Sequence, residues 1–96
     1  MAVGVLIEVP GGTKEQYEQL SARAFPGGQL PAGWQQHLAG PFEGGWRVVN
    51  ICDSEADFQQ FAQNTLIPAA IEAGEAPPNI SMFPIYMQVS RKAAGE

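Results

Sequence analysis

The chain has 96 residues with a single cysteine, and its 5 basic and 10 acidic residues give a formal net charge of −5. This length fits one small domain, and one cysteine excludes an intrachain disulfide and any multi-cysteine zinc or iron–sulfur site. The basic residues are scattered, without the cluster that tracks phosphates, so we expect no nucleic-acid partner and no attachment to an anionic membrane.

The N-terminal part of the chain predicts a strand followed by a helix. Residues 3–9 (VGVLIEV) are aliphatic and stop at a Pro-Gly-Gly sequence, which is typical of a strand with a sharp end. Thr13 and Gln16 match the capping-box pattern, and apolar residues then recur at helical spacing. We therefore predict a helix over residues 13–25.

The middle of the chain predicts a hairpin. Residues 34–39 (WQQHLA) and 45–52 (GWRVVNIC) have the composition of strands, and the glycine-containing segment 40–44 separates them. This spacing is typical of a hairpin with a longer loop.

A second helix is predicted after the hairpin, capped by Asp53 or Ser54. Pro68 interrupts its apolar stripe, because proline lacks a backbone donor and clashes with the preceding turn. We expect a kink there, or a short further helix that starts near Pro68 and ends at Gly74.

The C-terminal part predicts one more strand, over residues 80–89 (ISMFPIYMQV), with Pro84 tolerable only at a sheet edge or a bulge. A rigid connector over residues 75–79 precedes this strand. A frayed tail over residues 90–96 follows it.

The element order β-α-β-β-α-β predicts one α+β domain over residues 1–96, with a core over about 3–89 and a ferredoxin-like fold. In this fold one four-stranded antiparallel sheet carries both helices on one face. Apolar residues occupy both faces of the predicted strands, so the second face needs a cover. We expect a homodimer that forms by pairing of the two sheets.

Several segments of the chain resemble the dimeric α/β-barrel superfamily, which includes the antibiotic-biosynthesis monooxygenases. They are residues 37–41 (HLAGP), 44–49 (GGWRVV), 53–55 (DSE), 58–61 (FQQF) and 66–68 (LIP), with Gly74. The resemblance spans roughly residues 3–89 and implies a ferredoxin-like fold and a dimeric α/β barrel. The superfamily holds oxygenases, heme-degrading enzymes, polyketide cyclases and decarboxylases, so it does not imply one reaction.

The heme-degrading members differ from this chain at three positions. They carry an asparagine on the first strand, a tryptophan at the end of the third and a histidine on the later helix. This sequence has Val5 or Ile7, Cys52, and no histidine after His37. Metal-ligand spacing and dinucleotide or flavin fingerprints are also missing from the sequence. We therefore expect no cofactor.

His37 is the strongest candidate for a catalytic residue, because histidine titrates near neutral pH. If Gly40 pairs with Gly45, His37 lies opposite Val48. That register predicts a shared face that comprises Gln35, His37, Trp46 and Asn50. There Trp46 could stack on an aromatic ligand and His37 could move a proton. The alternative is a histidine at the dimer interface, hydrogen-bonded to backbone.

A tyrosine hydroxyl near His37 would complete an acid–base pair, as the cyclase members of the superfamily suggest. Tyr86 is the first candidate and Tyr17 the second, and the alternative is a core tyrosine with its hydroxyl at the rim. Trp34 either contacts the ligand or anchors the preceding loop.

Arg47 is the basic residue within a predicted strand. It could bind a carboxylate or phenolate of the substrate, or pair with Glu8 or Glu43 at the surface. Cys52 has no histidine or basic residue beside it in sequence, so a buried free cysteine is the better interpretation.

These residues support two main hypotheses. The first is a small cofactor-independent enzyme that oxygenates, cyclises or isomerises an aromatic or polyketide-like molecule. The alternative is a non-catalytic dimeric module that binds a small molecule or a protein; a heme binder that uses His37 alone is a third. An enzyme should place His37 in a reachable cavity beside a second polar side chain. We expect a cytoplasmic protein, since no signal-peptide pattern or membrane-length apolar run is present.

Overall fold

The computed structural model describes residues 1–74 and 77–91. Its regular elements are β1 (Val3–Pro10), α1 (Lys14–Ala24), β2 (Trp34–Phe42), β3 (Gly45–Cys52), α2 (Glu55–Phe61), α3 (Ile67–Ala73) and β4 (Asn79–Pro84). This order confirms the predicted β-α-β-β-α-β arrangement, with the second helix in two parts. Residues 75–76 of the predicted connector and 92–96 of the predicted tail lie outside the described residues.

The four strands form one sheet in the order β2-β3-β1-β4, and every neighbouring pair is antiparallel. The strand β1 lies between β3 and β4, so the chain crosses over the sheet between β1 and β2 and again between β3 and β4. Both crossovers are helical, which is the connection that a ferredoxin-like fold requires. The predicted fold class is therefore confirmed.

The first helix begins as the capping box predicts. The Gln16 backbone donates to Thr13 Oγ1 at 3.2 Å, and the Thr13 backbone donates to Gln16 Oε1 at 3.0 Å. Within α1 no residue is fully buried, although Tyr17 and Leu20 pack against the core. The helix therefore lies over the sheet without filling the space beneath it.

The second helix begins at the Ser54 cap, one of the two predicted alternatives, and buries Phe58 to 2% exposure. A π-helical turn at Ala62–Leu66 joins α2 to α3, in which Pro68 is the second residue. The wider π turn comes where the proline has no N–H to continue the α-helical bonding. Gly74, with a φ of 69°, ends α3 as predicted.

The core lies between the sheet and the helices. Its buried apolar residues are Val3, Val5, Ile7, Trp34, Val48, Cys52, Phe58, Ala62 and Leu66. Asn50, at 1% exposure, is the polar residue buried among them in the part of the chain that the structure describes. Burying an amide is unfavourable in free energy unless it is hydrogen-bonded, so the Asn50 side chain needs a hydrogen-bond partner.

The hairpin differs from the prediction. Its strands continue to Phe42 and Gly45, so the turn is only Glu43-Gly44, and Gly44 adopts a φ of 109° that favours glycine. Gly40 lies opposite Arg47, so the predicted pairing of Gly40 with Gly45 is wrong by two residues. A shift by two keeps each side chain on its face but changes its partners.

The last strand is shorter than the predicted span of 80–89. It ends at Pro84, opposite Val3, because β1 provides no further partner beyond that point. The Ile85 backbone still donates to the Ala2 carbonyl at 2.8 Å, and the chain then leaves the sheet. The side chains that follow are exposed, and Tyr86 is 97% exposed.

The sheet face opposite the helices is here named the open face. The strand registers place on it the apolar side chains Leu6, Leu38, Phe42, Val49, Ile51 and Phe83. Leu38 is 54% and Phe83 56% exposed. The open face is therefore an apolar surface within the described chain. In the same residues no helix is long and apolar enough to cross a membrane.

Candidate functional site

A cavity of about 340 Å³ lies in the space that α1 leaves above the sheet. Its floor comes from β1 and β3, and its walls come from α1, the π-helical turn and α3. The larger apolar side chains that line it are Ile7, Leu20, Phe25, Trp34, Trp46 and Phe61. A mainly apolar cavity with a few polar groups is the usual form of a small-molecule site.

The polar groups in this wall form one continuous hydrogen-bonded chain. Tyr17 Oη lies 2.6 Å from His37 Nε2, and His37 Nδ1 lies 2.6 Å from Asn50 Oδ1. The three residues come from α1, β2 and β3, and His37 lies directly opposite Asn50 in the hairpin register. Asn50 thus finds the partner that its burial requires, and we call these residues the Tyr17–His37–Asn50 chain.

Aromatic rings enclose this chain. The Phe25 ring centroid is 4.6 Å from that of His37, and the Tyr17 ring stacks on Trp46 at 5.4 Å. Trp34 packs edge-on against Phe61 at 4.7 Å. Such contacts restrict ring rotation, so the polar chain is held in a defined geometry.

Burial raises the pKa of the Tyr17 phenol above its ordinary value of 10.0, so the hydroxyl keeps its proton at neutral pH. The charged residues among the described cavity lining are Arg23 and Glu72. They pair with each other, with Arg23 Nη1 2.8 Å from Glu72 Oε2, and both side chains are exposed. The interior of the cavity therefore presents hydroxyl, imidazole and amide groups rather than a fixed charge.

A second, open groove lies on the outer side of the same wall. Its lining includes Glu18, Leu30 and the glycines 27 and 28. Tyr17 and His37 line both the cavity and this groove. The hydrogen-bonded chain therefore separates an apolar cavity from a space open to solvent.

The structure brings together five of the predicted site residues. His37, Asn50, Tyr17, Trp46 and Trp34 all line the cavity. Of the two predicted tyrosine partners, the structure places Tyr17 against His37. The alternative of a core tyrosine with its hydroxyl at the rim does not describe Tyr17, whose hydroxyl bonds to the imidazole.

Three predicted site residues lie elsewhere. Tyr86 follows the last strand and is exposed, because the sheet ends before it. Gln35 is exposed at an irregularity of β2 between Trp34 and Gln36, where it donates to Asp53 Oδ1 at 2.9 Å and does not line the cavity.

Arg47 is the third. It lies on the open face, where it pairs with Glu8 at 2.9 Å and covers the Phe42 ring at 4.5 Å. The alternation of side chains along β3 places it on the face opposite its neighbours Trp46 and Val48. Of the two predicted roles, substrate binding and a surface ion pair with Glu8 or Glu43, Arg47 therefore has the ion pair, with Glu8.

Sequence reasoning missed the contribution of Phe25 and Phe61 to the cavity. Both residues fit the apolar spacing of a helix, and helical periodicity alone does not distinguish core from cavity lining. Trp34 Nε1 and Trp46 Nε1 are buried and find no hydrogen-bond acceptor within residues 1–74 and 77–91, so both indoles act here as apolar wall.

Cys52 is buried at the end of β3. Burial, together with the nearby carboxylates of Asp57 and Asp53, raises the pKa of its thiol to about 11. A thiol that stays protonated at neutral pH is a poor nucleophile, which agrees with its interpretation as a buried free cysteine.

Within the described residues no group of three His, Cys, Asp or Glu side chains is placed to hold a metal ion. Both ring nitrogens of His37 are hydrogen-bonded, so a heme iron could bind this histidine only after one of those bonds breaks.

Comparisons with known proteins find the same fold in solved structures, whereas no protein-family model and no curated protein matches the sequence. A mutant form of SnoaB, a cofactor-independent oxygenase from Streptomyces nogalater, is similar with a TM-score of 0.63 and 14% identity, over 94% of this chain and 97% of that one. A dimeric ferredoxin-like protein of unknown function from Thermobifida fusca is similar with a TM-score of 0.62 and 15% identity, over 88% and 92%.

The heme-degrader MhuD from Mycobacterium tuberculosis is also similar, with a TM-score of 0.57 and 23% identity, over 94% of this chain and 100% of that one. An oxygenase and a heme degrader thus share one backbone arrangement, so the arrangement does not determine the reaction. The resemblance noted in the sequence is confirmed at the level of the fold: this chain has the ferredoxin-like fold of that superfamily.

Proposed function

We propose that this protein is a small cofactor-independent enzyme of the antibiotic-biosynthesis-monooxygenase type that removes a proton from an aromatic or polyketide-like molecule. The observation that carries the proposal is the Tyr17–His37–Asn50 chain in the wall of an aromatic cavity. A general acid–base site needs a second polar side chain near His37, and Tyr17 Oη meets that requirement at 2.6 Å.

The aromatic lining favours a flat, conjugated ligand. Trp46 and Phe25 offer ring faces and edges, and the polar chain offers groups that exchange a proton with a phenol or enol. Removal of that proton leaves an electron-rich anion. The anion can react with O₂ in an oxygenase, or attack a carbonyl within the same molecule in a cyclase. Proton removal is the step that this chain's residues supply in either case.

The comparisons support the oxygenase version, because SnoaB is described as a cofactor-independent oxygenase and has this fold. They support the cyclase version less directly, through the membership of the superfamily. Heme degradation fits less well, since His37 is engaged at both nitrogens and is the one histidine of the sequence.

We also propose that the protein is a homodimer paired through the open face. The apolar side chains of that face would lose their contact with water when two sheets meet, and burial of apolar area is the main favourable term in association. The dimeric protein from Thermobifida fusca shows that this fold forms dimers in a similar chain. Sedimentation velocity over a range of concentrations should show a dimer, and a monomer at every concentration would contradict this part of the proposal.

The enzyme proposal is tested by an NMR titration of His37, whose resonances are easy to assign because the chain has one histidine. The titration is repeated with a panel of phenolic and polyketide-like compounds. We expect one class of compound to shift the His37 ring resonances and its titration midpoint, while His37→Gln abolishes turnover of that compound.

The alternative function is a non-catalytic dimeric binding module. It makes a different prediction for the same experiment. A compound that binds in the cavity but leaves the His37 titration unchanged, and is recovered chemically intact after incubation in air, would support the binding module and contradict the enzyme.

A further inference from the structure

His37 has no free ring nitrogen with which to meet a ligand. Asn50 Oδ1 lies at Nδ1 and Tyr17 Oη lies at Nε2, each at 2.6 Å. In contrast, the Tyr17 hydroxyl has one polar partner among the residues that the structure describes, and its oxygen retains lone-pair capacity. Of the three groups in this chain, the Tyr17 hydroxyl is therefore the one that can accept a proton from a ligand in the cavity.

We propose that His37 acts as a base through Tyr17, and that Asn50 sets its tautomer. This inference rests on the proposed function, because it specifies how that site removes a proton. The amide oxygen of Asn50 can only accept, so Nδ1 of the neutral imidazole carries the hydrogen. Nε2 is then the nitrogen with the lone pair, and it accepts the O–H of Tyr17. Asn50 is a positioning residue and Tyr17 a catalytic residue.

The proton transfer balances in one concerted step. The O–H bond of a phenol or enol ligand breaks and its proton passes to Tyr17 Oη, while the original Tyr17 proton passes to His37 Nε2. The products are a ligand anion, a neutral tyrosine and an imidazolium whose Nδ1–H still donates to Asn50. Tyrosinate never accumulates, which agrees with the raised pKa of the buried Tyr17 phenol.

The second face of His37 provides a route for the proton to leave. His37 lines the open groove as well as the cavity, so the imidazolium can pass its Nε2 proton to solvent on the groove side once the hydrogen bond to Tyr17 opens. The titratable groups around His37 are Tyr17 and, in the groove, Glu18. Glu18 Oε1 lies 3.8 Å from Lys14 Nζ. On the cavity side, Arg23 and Glu72 pair with each other at the rim.

The tautomer is tested by ¹⁵N NMR of the histidine ring, in which the protonated nitrogen has a pyrrole-type shift and the other a pyridine-type shift. We expect a pyrrole-type Nδ1 at pH above the His37 midpoint. The same tautomer should persist in Tyr17→Phe, which keeps Asn50, and in Tyr86→Phe, a control at an exposed tyrosine. A pyrrole-type Nε2 in the unaltered protein would overturn the assignment.

Asn50 itself is tested by two substitutions. Asn50→Leu removes the acceptor, so the ring nitrogens should shift toward a mixture of tautomers. Asn50→Asp restores an acceptor and should restore the Nδ1–H form, and retention of that form in Asn50→Leu would overturn the role of Asn50. Should Asn50→Leu fail to fold, the Tyr17→Phe and Asn50→Asp spectra still decide, since a pyrrole-type Nε2 in either one contradicts the proposal.

The relay is tested with 4-nitrophenol, whose absorbance reports its ionisation, and with 4-nitroanisole, which has no proton to give. Bound 4-nitrophenol should ionise at a pH at least one unit below that of the free compound, which is about a tenfold change in the ratio of ionised to neutral compound at a given pH. This shift should be lost in Tyr17→Phe and kept in Tyr86→Phe. Binding of 4-nitroanisole should be unchanged in both variants.

The outcomes separate the two proposals. If neither compound binds, the proposed aromatic site fails, and the inference fails with it. If both compounds bind and Tyr17→Phe still ionises 4-nitrophenol as the unaltered protein does, the site remains but the transfer through Tyr17 is overturned.

Discussion

The two faces of the sheet are both apolar, yet they differ in what covers them. On β3, Val48 and Asn50 point toward the helices and are buried, whereas their neighbours Val49 and Ile51 point to the open face and are only half-buried. The helical face contains the cavity and the Tyr17–His37–Asn50 chain. The open face contains exposed leucine and phenylalanine with one surface ion pair. The alternation of side chains along the strands thus makes both faces of the sheet apolar. The helices cover one of these faces, and that face becomes the core.

Phe58→Ala tests the helical face most severely. Phe58 is almost fully buried, so its truncation should lower the free energy of unfolding by about 3–5 kcal/mol. Phe83→Ala on the open face is the matched control, and below the concentration of dimer formation it should cost much less. Urea denaturation of both variants measures the difference. Equal losses would mean that the two faces are buried alike in the protomer.

Leu38→Lys tests the open face. A charge within the proposed interface should raise the dimer dissociation constant at least about tenfold, since desolvating an unpaired charge is unfavourable. Ile71→Lys on α3 is the control, because Ile71 is exposed but lies away from the open face. Analytical ultracentrifugation compares them. A Leu38→Lys protein that dimerises as tightly as Ile71→Lys would move the interface elsewhere.

Cys52 gives a pH-dependent test of burial on the helical face. Its pKa is about 11 in the folded protein and near the ordinary thiol value of 9.0 when unfolded, so the unfolded chain loses the thiol proton first. The contribution of the Cys52 thiol to the free energy of unfolding is therefore fully present below pH 9, and it is lost as the pH rises toward 11. Cys52→Ala should show a smaller alkaline loss of stability. An identical pH profile for both proteins would contradict the burial of the thiol.

Glu8→Gln should have the smallest effect. The carboxylate pairs with Arg47 at 2.9 Å on the open face, and an exposed ion pair contributes about 0–1 kcal/mol. Thermal unfolding in low and high salt should show a minor difference that salt removes. A loss well above this range at concentrations where the protein is monomeric would show that the pair is more shielded than the exposed surface implies.

Local signals in the sequence predicted most of the fold. The capping box at Thr13, the cap at Ser54 and the glycine stop at Gly74 each depend on contacts within one turn, so the chain specifies them directly. The order of elements then left few arrangements of four strands and two helices. The hairpin register was predicted wrongly, because the conformation of a single glycine, Gly44, shortened the turn.

The candidate site was only partly predictable. His37 stood out as the one histidine and Asn50 as a polar residue in an apolar strand, and both are properties of the sequence itself. Tyr17 and His37 are 20 residues apart in sequence, and their hydrogen bond depends on how α1 crosses the sheet. No local pattern encodes that crossing. Likewise, the end of the sheet at Pro84 removed Tyr86 from the cavity.

Local propensity and periodicity thus specify the elements, their order and the apolar character of both sheet faces, because these signals act over a few residues. The three-dimensional packing of these elements selects which tyrosine meets the histidine, which face holds the cavity and which face is left open. Those outcomes depend on contacts between residues far apart in the chain. Such contacts follow from the packing of whole elements rather than from the residues beside them.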